Sequence, residues 1–197
     1  MMTMTRTDNH AVAQAVHDLG SALWFGGSTM GVVGVNASGR DLKNGADRIR
    51  VASSAWGRFG PLQWAGIAST LLAGLQLTRA GGRRLALQKG FGTVGAIKAG
   101  LAVTGAAASA YAAYCGTRIA AAAAEAEQHG EPIDVADATT PTSRTPDQIA
   151  TWQRRQRLVQ YAVPLLAGAN IAAGSQLVQS YRAGATAKGV LRRIMPD

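Results

Sequence analysis

Six residues are of types and at spacings that can do chemistry. His17 and Asp18 are adjacent, Lys98 opens an uncharged stretch, and Gln76, Gln176 and Gln179 close others. In an antiparallel arrangement of successive helices these six fall at one depth, at the end nearest the termini. A histidine held there can ligate haem or a metal or carry a proton, and an ammonium beside a carboxylate can bind a polar ligand. Ionisable groups near an apolar interior are costly and point to function by default. The competing reading has no chemistry in it: Lys98 reaches to the polar boundary along its aliphatic stem and pairs with Asp18.

The remaining chemical signatures are missing or out of context. His10, His17 and His129 are not at metal-ligand spacing, and neither Cys-x-x-Cys nor His-Glu-x-x-His occurs. No serine sits in a Gly-x-Ser-x-Gly elbow. Gly90-Phe-Gly92-Thr-Val-Gly95 matches the dinucleotide-binding spacing. That site requires a preceding apolar strand and an acid about 20 residues later. Here a basic segment precedes, and the next acid is Glu125. The expectation is therefore no enzyme, no catalytic residue, no metal and no resident cofactor, with His17 as the single cofactor-ligand candidate.

The elements that must position these residues are visible in the distribution of charge. Uncharged runs cover Leu19 to Gly39 (21 residues), Phe59 to Thr78 (20), Ala99 to Thr117 (19) and Leu158 to Tyr181 (24). A helix needs about 20 mainly apolar residues to cross a bilayer. The pattern predicts an all-α fold of four transmembrane helices, up-down-up-down, in a multi-pass bacterial plasma-membrane protein. A soluble Ala-rich helical bundle is the alternative. The overall mean hydropathy of +0.04 and the 47% hydrophobic content hide the pattern because the connectors are strongly charged. The net charge of +9 lies beside the runs, where anionic lipid headgroups are met, so lipid rather than nucleic acid is the expected partner. The first run lacks a positive leader and reads as an uncleaved helix. Lysine and arginine divide ten to ten between the two sides, which favours cytoplasmic termini only through the acid-free second loop and the basic C-terminus.

Along the chain, residues 1–14 read as a polar arm and 15–126 as the first three helices with their connectors. Residues 127–145 read as an acidic Pro/Thr/Ser loop that stays disordered. Residues 146–182 form an amphipathic lead-in and the fourth helix, and 183–197 a basic tail. The connector Arg40 to Arg58 reads as a short interfacial helix with Trp56 at headgroup level, and Pro61 as the opening of helix two. Thr145 is the expected cap of the fourth helix, with Pro146 at its first position. Pro164 is the expected kink.

Small residues recur on single helix faces. His17, Gly20, Trp24, Gly27, Gly31 and Gly34 share one face of the first helix. Gly66 and Gly74 mark helix two, and Gly105 lies in the matching stripe of helix three. Such faces allow close backbone approach and predict tight helix packing. Asn170, midway along helix four, is the expected interhelical hydrogen-bonder.

The segments HDLGSALWFGGSTMGVVGVN (17–36) and LQKGFGTVGAIKAGLAVTGAA (87–107) resemble a family of small four-helix membrane proteins common in actinobacteria, a likeness that carries a fold and no biochemical activity. More loosely, His17, Trp24, Gly26 and Gly27 are similar to the opening of copper-resistance D-like and protoporphyrinogen-oxidase-like membrane proteins, in some of which helix histidines serve copper or haem. No other histidine lies in a span here, so bis-histidine ligation within one chain is excluded. The functional expectation is a non-enzymatic structural or accessory subunit of a membrane assembly, partnered by a second copy or another membrane protein. The alternative is a small-molecule transporter or a haem- or quinone-binding protein using His17, Asp18, Lys98, Gln76 and Gln176.

Overall fold

A computed structural model describes residues 6–87 and 91–177. Helix α1 spans Arg6–Met30 and continues through a π-helical turn (Gly31–Val35), a short α segment (Asn36–Ser38) and a 3-10 turn (Gly39–Asp41). Helix α2 is Gly45–Leu87 and α3 is Phe91–Gln128. After a two-stranded hairpin, β1 (Val135–Asp137) and β2 (Thr140–Pro141), helix α4 runs Asp147–Gln160 and resumes over 162–177. The fold is all-α apart from that hairpin. Gln179 and the basic C-terminal tail lie outside the described residues.

Neighbouring helices run antiparallel, as paired contacts show. Along α1 and α2, Ser21 bonds Thr70 and Gly31 abuts Trp56. Along α3 and α4, Lys98 lies near Gly174, Gly105 near Leu166, and Tyr114 against Trp152. Two apolar centres result. Trp24, Ile67, Val163 and Ala167 form the one in mid-bundle. Ile49, Ile119, Ala122, Val135 and Ile149 form the other, beneath the hairpin.

Thr93–Gln128 and Asp147–Leu177 are each long and apolar enough to cross a membrane, by length and composition, with a mean hydropathy of 1.2. The other two uncharged runs lie in α1 and α2, where glycine, serine and threonine lower the hydropathy.

The structure corrects several expectations. There is no separate interfacial helix between the first two long helices: residues 45–87 form one continuous helix with Pro61 inside it. Proline removes one backbone bond from a helix interior, but packing holds the turn that precedes it. Phe59 lies against Gly27, and Trp56 against Gly31. Trp56 is therefore turned into the bundle, where its indole N–H donates to Asn36 Oδ1 (2.9 Å). In α4 the regular helix lapses at Tyr161, three residues before Pro164, which cannot donate to the carbonyl of Gln160.

The acidic segment expected to be disordered is folded. Helix α3 ends at Gly130, whose φ of 68° is the left-handed conformation glycine adopts without strain. The amides of Gly130 and Glu131 donate to the carbonyls of Glu127 (3.1 Å) and Ala126 (2.9 Å), closing the helix in a Schellman motif. The chain then turns back, and Val135 becomes fully buried. Thr145 does not cap α4. Its hydroxyl donates to the Asp134 carbonyl and accepts from the Thr142 amide (2.8 Å), so Pro146 takes the cap position.

Arginines from α1 and α2 hold this hairpin. Arg40 donates through Nε (3.0 Å) and Nη2 (2.8 Å) to Asp137 Oδ2. Arg48 donates to the carbonyls of Val135, Ala136 and Leu42. From α4, the Gln153 amide donates to the carbonyls of Asp137 (3.1 Å) and Ala138 (3.2 Å). Burial pushes the Asp137 carboxyl up. Hydrogen bonds from the Thr139 amide, the Arg40 guanidinium and Thr140, together with the Arg40 charge, outweigh burial and hold the carboxyl below its ordinary 3.8.

Two results follow for stability. Asp137→Asn is expected to cost about 1.5–3 kcal/mol, the range for hydrogen bonds to a charged group. Because the folded pKa is the lower one, the carboxylate's contribution is full above the unfolded value near 3.8 and is lost as pH falls below it. Thermal melts between pH 7 and pH 3 should show wild type losing more stability than Asp137→Asn. Equal losses would show that Asp137 does not supply this term.

Candidate functional site

The small-residue faces set the bundle's geometry. Gly20 and Gly66 face each other, and a Cβ on either would collide with the other's carbonyl oxygen. Gly27 and Gly31 receive the rings of Phe59 and Trp56. Gly105 receives the six-membered ring of Trp24, which is wholly buried and donates its indole N–H to Ser109 Oγ (3.1 Å). Gly74 lies in ordinary contact with the His17 imidazole. Gly34 differs, since what it faces is Met30 of its own helix.

That geometry brings His17, Asp18 and Lys98 together. His17 is buried, its Nδ1 lying 3.1 Å from Asp18 Oδ1, which also accepts from Gln14 Nε2 (2.8 Å). Lys98 is half-buried and extends its ammonium toward Gly174 on α4. Both the Asp18 carboxylate and the Lys98 ammonium act electrostatically on His17. Gln76 and Gln176 are exposed on α2 and α4. The cluster thus consists of a shielded imidazole beside an exposed carboxylate, with an ammonium close enough to act on the imidazole, where α1, α2, α3 and α4 meet. Among the described residues, no three His, Cys, Asp or Glu side chains gather as a metal site. Cys115 is buried and free.

Asn170 is buried in α4, with its Nδ2 at the Lys98 carbonyl oxygen (3.5 Å); no donor reaches its Oδ1 among the described residues. Sequence reasoning missed a second polar chain at the opposite end. Asn36 accepts from Trp56 and donates through Nδ2 to Gln160 Oε1 (2.9 Å), joining α1, α2 and α4. The available signal was the presence of Asn36 and Gln160 inside uncharged runs, the criterion that identifies Asn170. The guanidinium carbons of Arg118 and Arg155 lie 5.3 and 4.7 Å from the centroid of the Trp152 ring, which also meets Tyr114 edge-on at 5.4 Å. Arg155 follows Trp152 by three residues on the same helix, a spacing legible in the sequence, whereas Arg118 reaches the ring from α3, so residue spacing did not reveal that contact.

Fold and site define an all-α four-helix bundle in which several buried polar side chains bond across helices, Ser21 with Thr70, Trp24 with Ser109 and Asn36 with Gln160. No family model, no curated protein and no solved structure matches this chain.

The glycine faces make a direct comparison possible. Gly20→Ala and Gly105→Ala should each lower stability by about 1–3 kcal/mol through overpacking. Gly26 has open space at its Cβ position, so Gly26→Ala should be neutral or stabilising by about 0.5–1 kcal/mol through helix propensity. Thermal unfolding of the three variants checks this. Equal stability of Gly20→Ala and Gly26→Ala would remove the close-approach argument.

Proposed function

We propose that this chain is an integral membrane protein that crosses the bacterial plasma membrane four times, up-down-up-down. We further propose that it serves there as a non-enzymatic structural or accessory subunit. One observation carries the membrane assignment: large apolar side chains stand outward on every helix. Leu19 (72% exposed) on α1, Leu72 (68%) on α2, Val103 (63%) on α3 and Leu165 (72%) on α4 have no place in water as a continuous belt. The two most apolar helices point the same way, with 17% and 22% of their best 18-residue windows buried, where the core helix of a soluble protein is mostly buried.

Exposed Trp64, Tyr111, Tyr114 and Tyr161 add a level to this picture. Each lies within two turns of Arg58, Arg118 or Arg157 along its own helix. Aromatic rings beside a ring of cations are characteristic of the membrane–water boundary. On this reading Arg58, Arg118 and Arg157 meet anionic headgroups, and the hairpin end projects beyond the bilayer. At 1.5 Å per residue a 43-residue α2 is about 64 Å long, roughly twice the hydrocarbon thickness. The termini then share the other side, which the acid-free second loop assigns to the cytoplasm.

The accessory role rests on the pairing of His17 with Asp18 and on the glycine faces, which build an interior of helix contacts. A second copy or another membrane protein is the expected partner. The resemblance of residues 17–36 to small actinobacterial four-helix membrane proteins agrees with this assignment.

Cells expressing the chain should retain it in the membrane pellet after alkaline carbonate washing and release it into a mild detergent. A monodisperse species in the supernatant of a high-speed spin, with no detergent present, would overturn the membrane assignment.

A further inference from the structure

Two arginines meet on one indole near the hairpin end of the bundle. Arg118 comes from α3 and Arg155 from α4, and their guanidinium carbons lie 5.3 and 4.7 Å from the centroid of the Trp152 ring. The two charges are thus separated by no more than those two distances together. The indole is held in place, since it packs against the apolar centre around Ile149 and meets Tyr114 edge-on at 5.4 Å. Both arginines are exposed.

The acids at this end are used elsewhere. Asp137 pairs with Arg40, Glu127 and Asp47 with Arg50, and Asp134 with Arg144. Among the described residues, no ion pair includes Arg118 or Arg155. Glu125 and Asp147, the acids nearest to them along α3 and α4, pair with neither. Like charges held this close repel, and an external anion relieves that repulsion. A guanidinium presents its N–H donors in a planar fork that matches the oxygens of a phosphate.

The surface below the arginines selects among anions. On α3, Tyr114, Tyr111 and Val103 descend from Arg118 at helical spacing, all exposed. On α4, Leu158, Tyr161 and Leu165 descend from Arg155 in the same way. Leu158, one turn from Arg155, is 82% exposed, the most of any large apolar side chain among the described residues. Both stripes run from the hairpin end toward mid-bundle, because the two helices are antiparallel. From Arg155 to Leu165 the helix rises about 15 Å, half of a ~30 Å hydrocarbon core. A free phosphate or an acidic peptide leaves such stripes bare, whereas acyl chains cover them.

We propose that Arg118 and Arg155, held on Trp152, bind one anionic phospholipid at the seam of α3 and α4. Its phosphate accepts hydrogen bonds from the guanidinium groups, and its acyl chains lie along the two stripes. A zwitterionic lipid binds less well, because its headgroup ammonium meets two cations without acidic partners. This assignment rests on the membrane reading above and adds to it a discrete site, separate from the boundary cations Arg58 and Arg157.

The test is native mass spectrometry of the full-length protein in mild detergent, titrated with dioleoylphosphatidylglycerol or dioleoylphosphatidylcholine. The two lipids share acyl chains and phosphodiester and differ in headgroup charge. The first phosphatidylglycerol is expected to bind at least tenfold more tightly than phosphatidylcholine. Arg118→Gln combined with Arg155→Gln should reduce that preference to under threefold. Arg58→Gln combined with Arg157→Gln removes the same charge and should leave it within twofold of wild type. Far-UV circular dichroism checks folding, and if the first double variant does not fold, its two single variants carry the test, each expected to lose at least threefold. Equal losses in the two double variants would reduce the effect to general charge attraction and overturn the site. Equal wild-type affinity for the two lipids overturns the headgroup assignment. Displacement of phosphatidylglycerol by equimolar glycerol 3-phosphate would give the arginines to a free phosphate instead. A dimer that the arginine variant dissociates, with lipid binding unchanged, would give them to a second copy. A high-speed spin without detergent reads the membrane assignment separately: a chain that requires detergent yet shows no lipid preference has lost the site alone.

Discussion

The bundle is organised around the burial of one indole. Trp24 projects from α1 into the notch that Gly105 leaves on α3, and packs with Ile67 of α2 and with Val163 and Ala167 of α4. One side chain thus touches all four helices. Its N–H requires an acceptor, and Ser109, one turn beyond the notch, supplies it. Ser109 in turn donates back to the carbonyl of Gly105 (2.9 Å), so the residue that makes room for the ring also anchors the hydroxyl that bonds it. Size and hydrogen bonding are satisfied by the same pair of positions, which fixes depth and rotation of α1 against α3 together.

The same device recurs. Thr70 donates to Gly66, Thr78 to Gly74 and Ser38 to Gly34, each a hydroxyl bonding the carbonyl of a glycine four residues earlier. A serine or threonine on a helix can satisfy itself in this way without leaving its own backbone. Where a second helix approaches, the hydroxyl keeps a lone pair for it, as Thr70 does toward Ser21 (3.2 Å). Such self-satisfied hydroxyls let polar residues populate close helix contacts at little cost. They also explain why the first two uncharged runs are less hydropathic than the last two while packing most tightly. Interhelical contact here depends on small size and satisfied polarity more than on apolar mass.

How much of this was legible in the residues follows from the range of each interaction. The helices are set by local spacing of charge, so the uncharged runs located all four. The inward faces of α1 and α3 follow from a three-and-four repeat, and Gly20, Trp24 and Gly105 lie on them. The hairpin was illegible by the same logic. Glu127, Glu131, Asp134 and Asp137 read as a solvated acidic loop because the arginines that pair with Glu127 and Asp137 are remote in sequence. Arg40 reaches Asp137 across 97 positions, and Arg50 reaches Glu127 across 77. Both partners were already assigned to the same end of the bundle, so opposite charge at one end was the available clue. Pro61 misled for a related reason: proline reports the cost of a lost bond, while the contacts of Trp56 and Phe59 that offset it lie on another helix.

The two ends of the molecule consequently differ in kind. At one end, buried His17 meets exposed Asp18, with half-buried Lys98 nearby, where the termini of the helices come together. At the other, acids and arginines lock a folded cap. A cap tied by charge and a core tied by shape respond to different perturbations. Acid weakens the first through Asp137, while added volume at Gly20 or Gly105 disrupts the second.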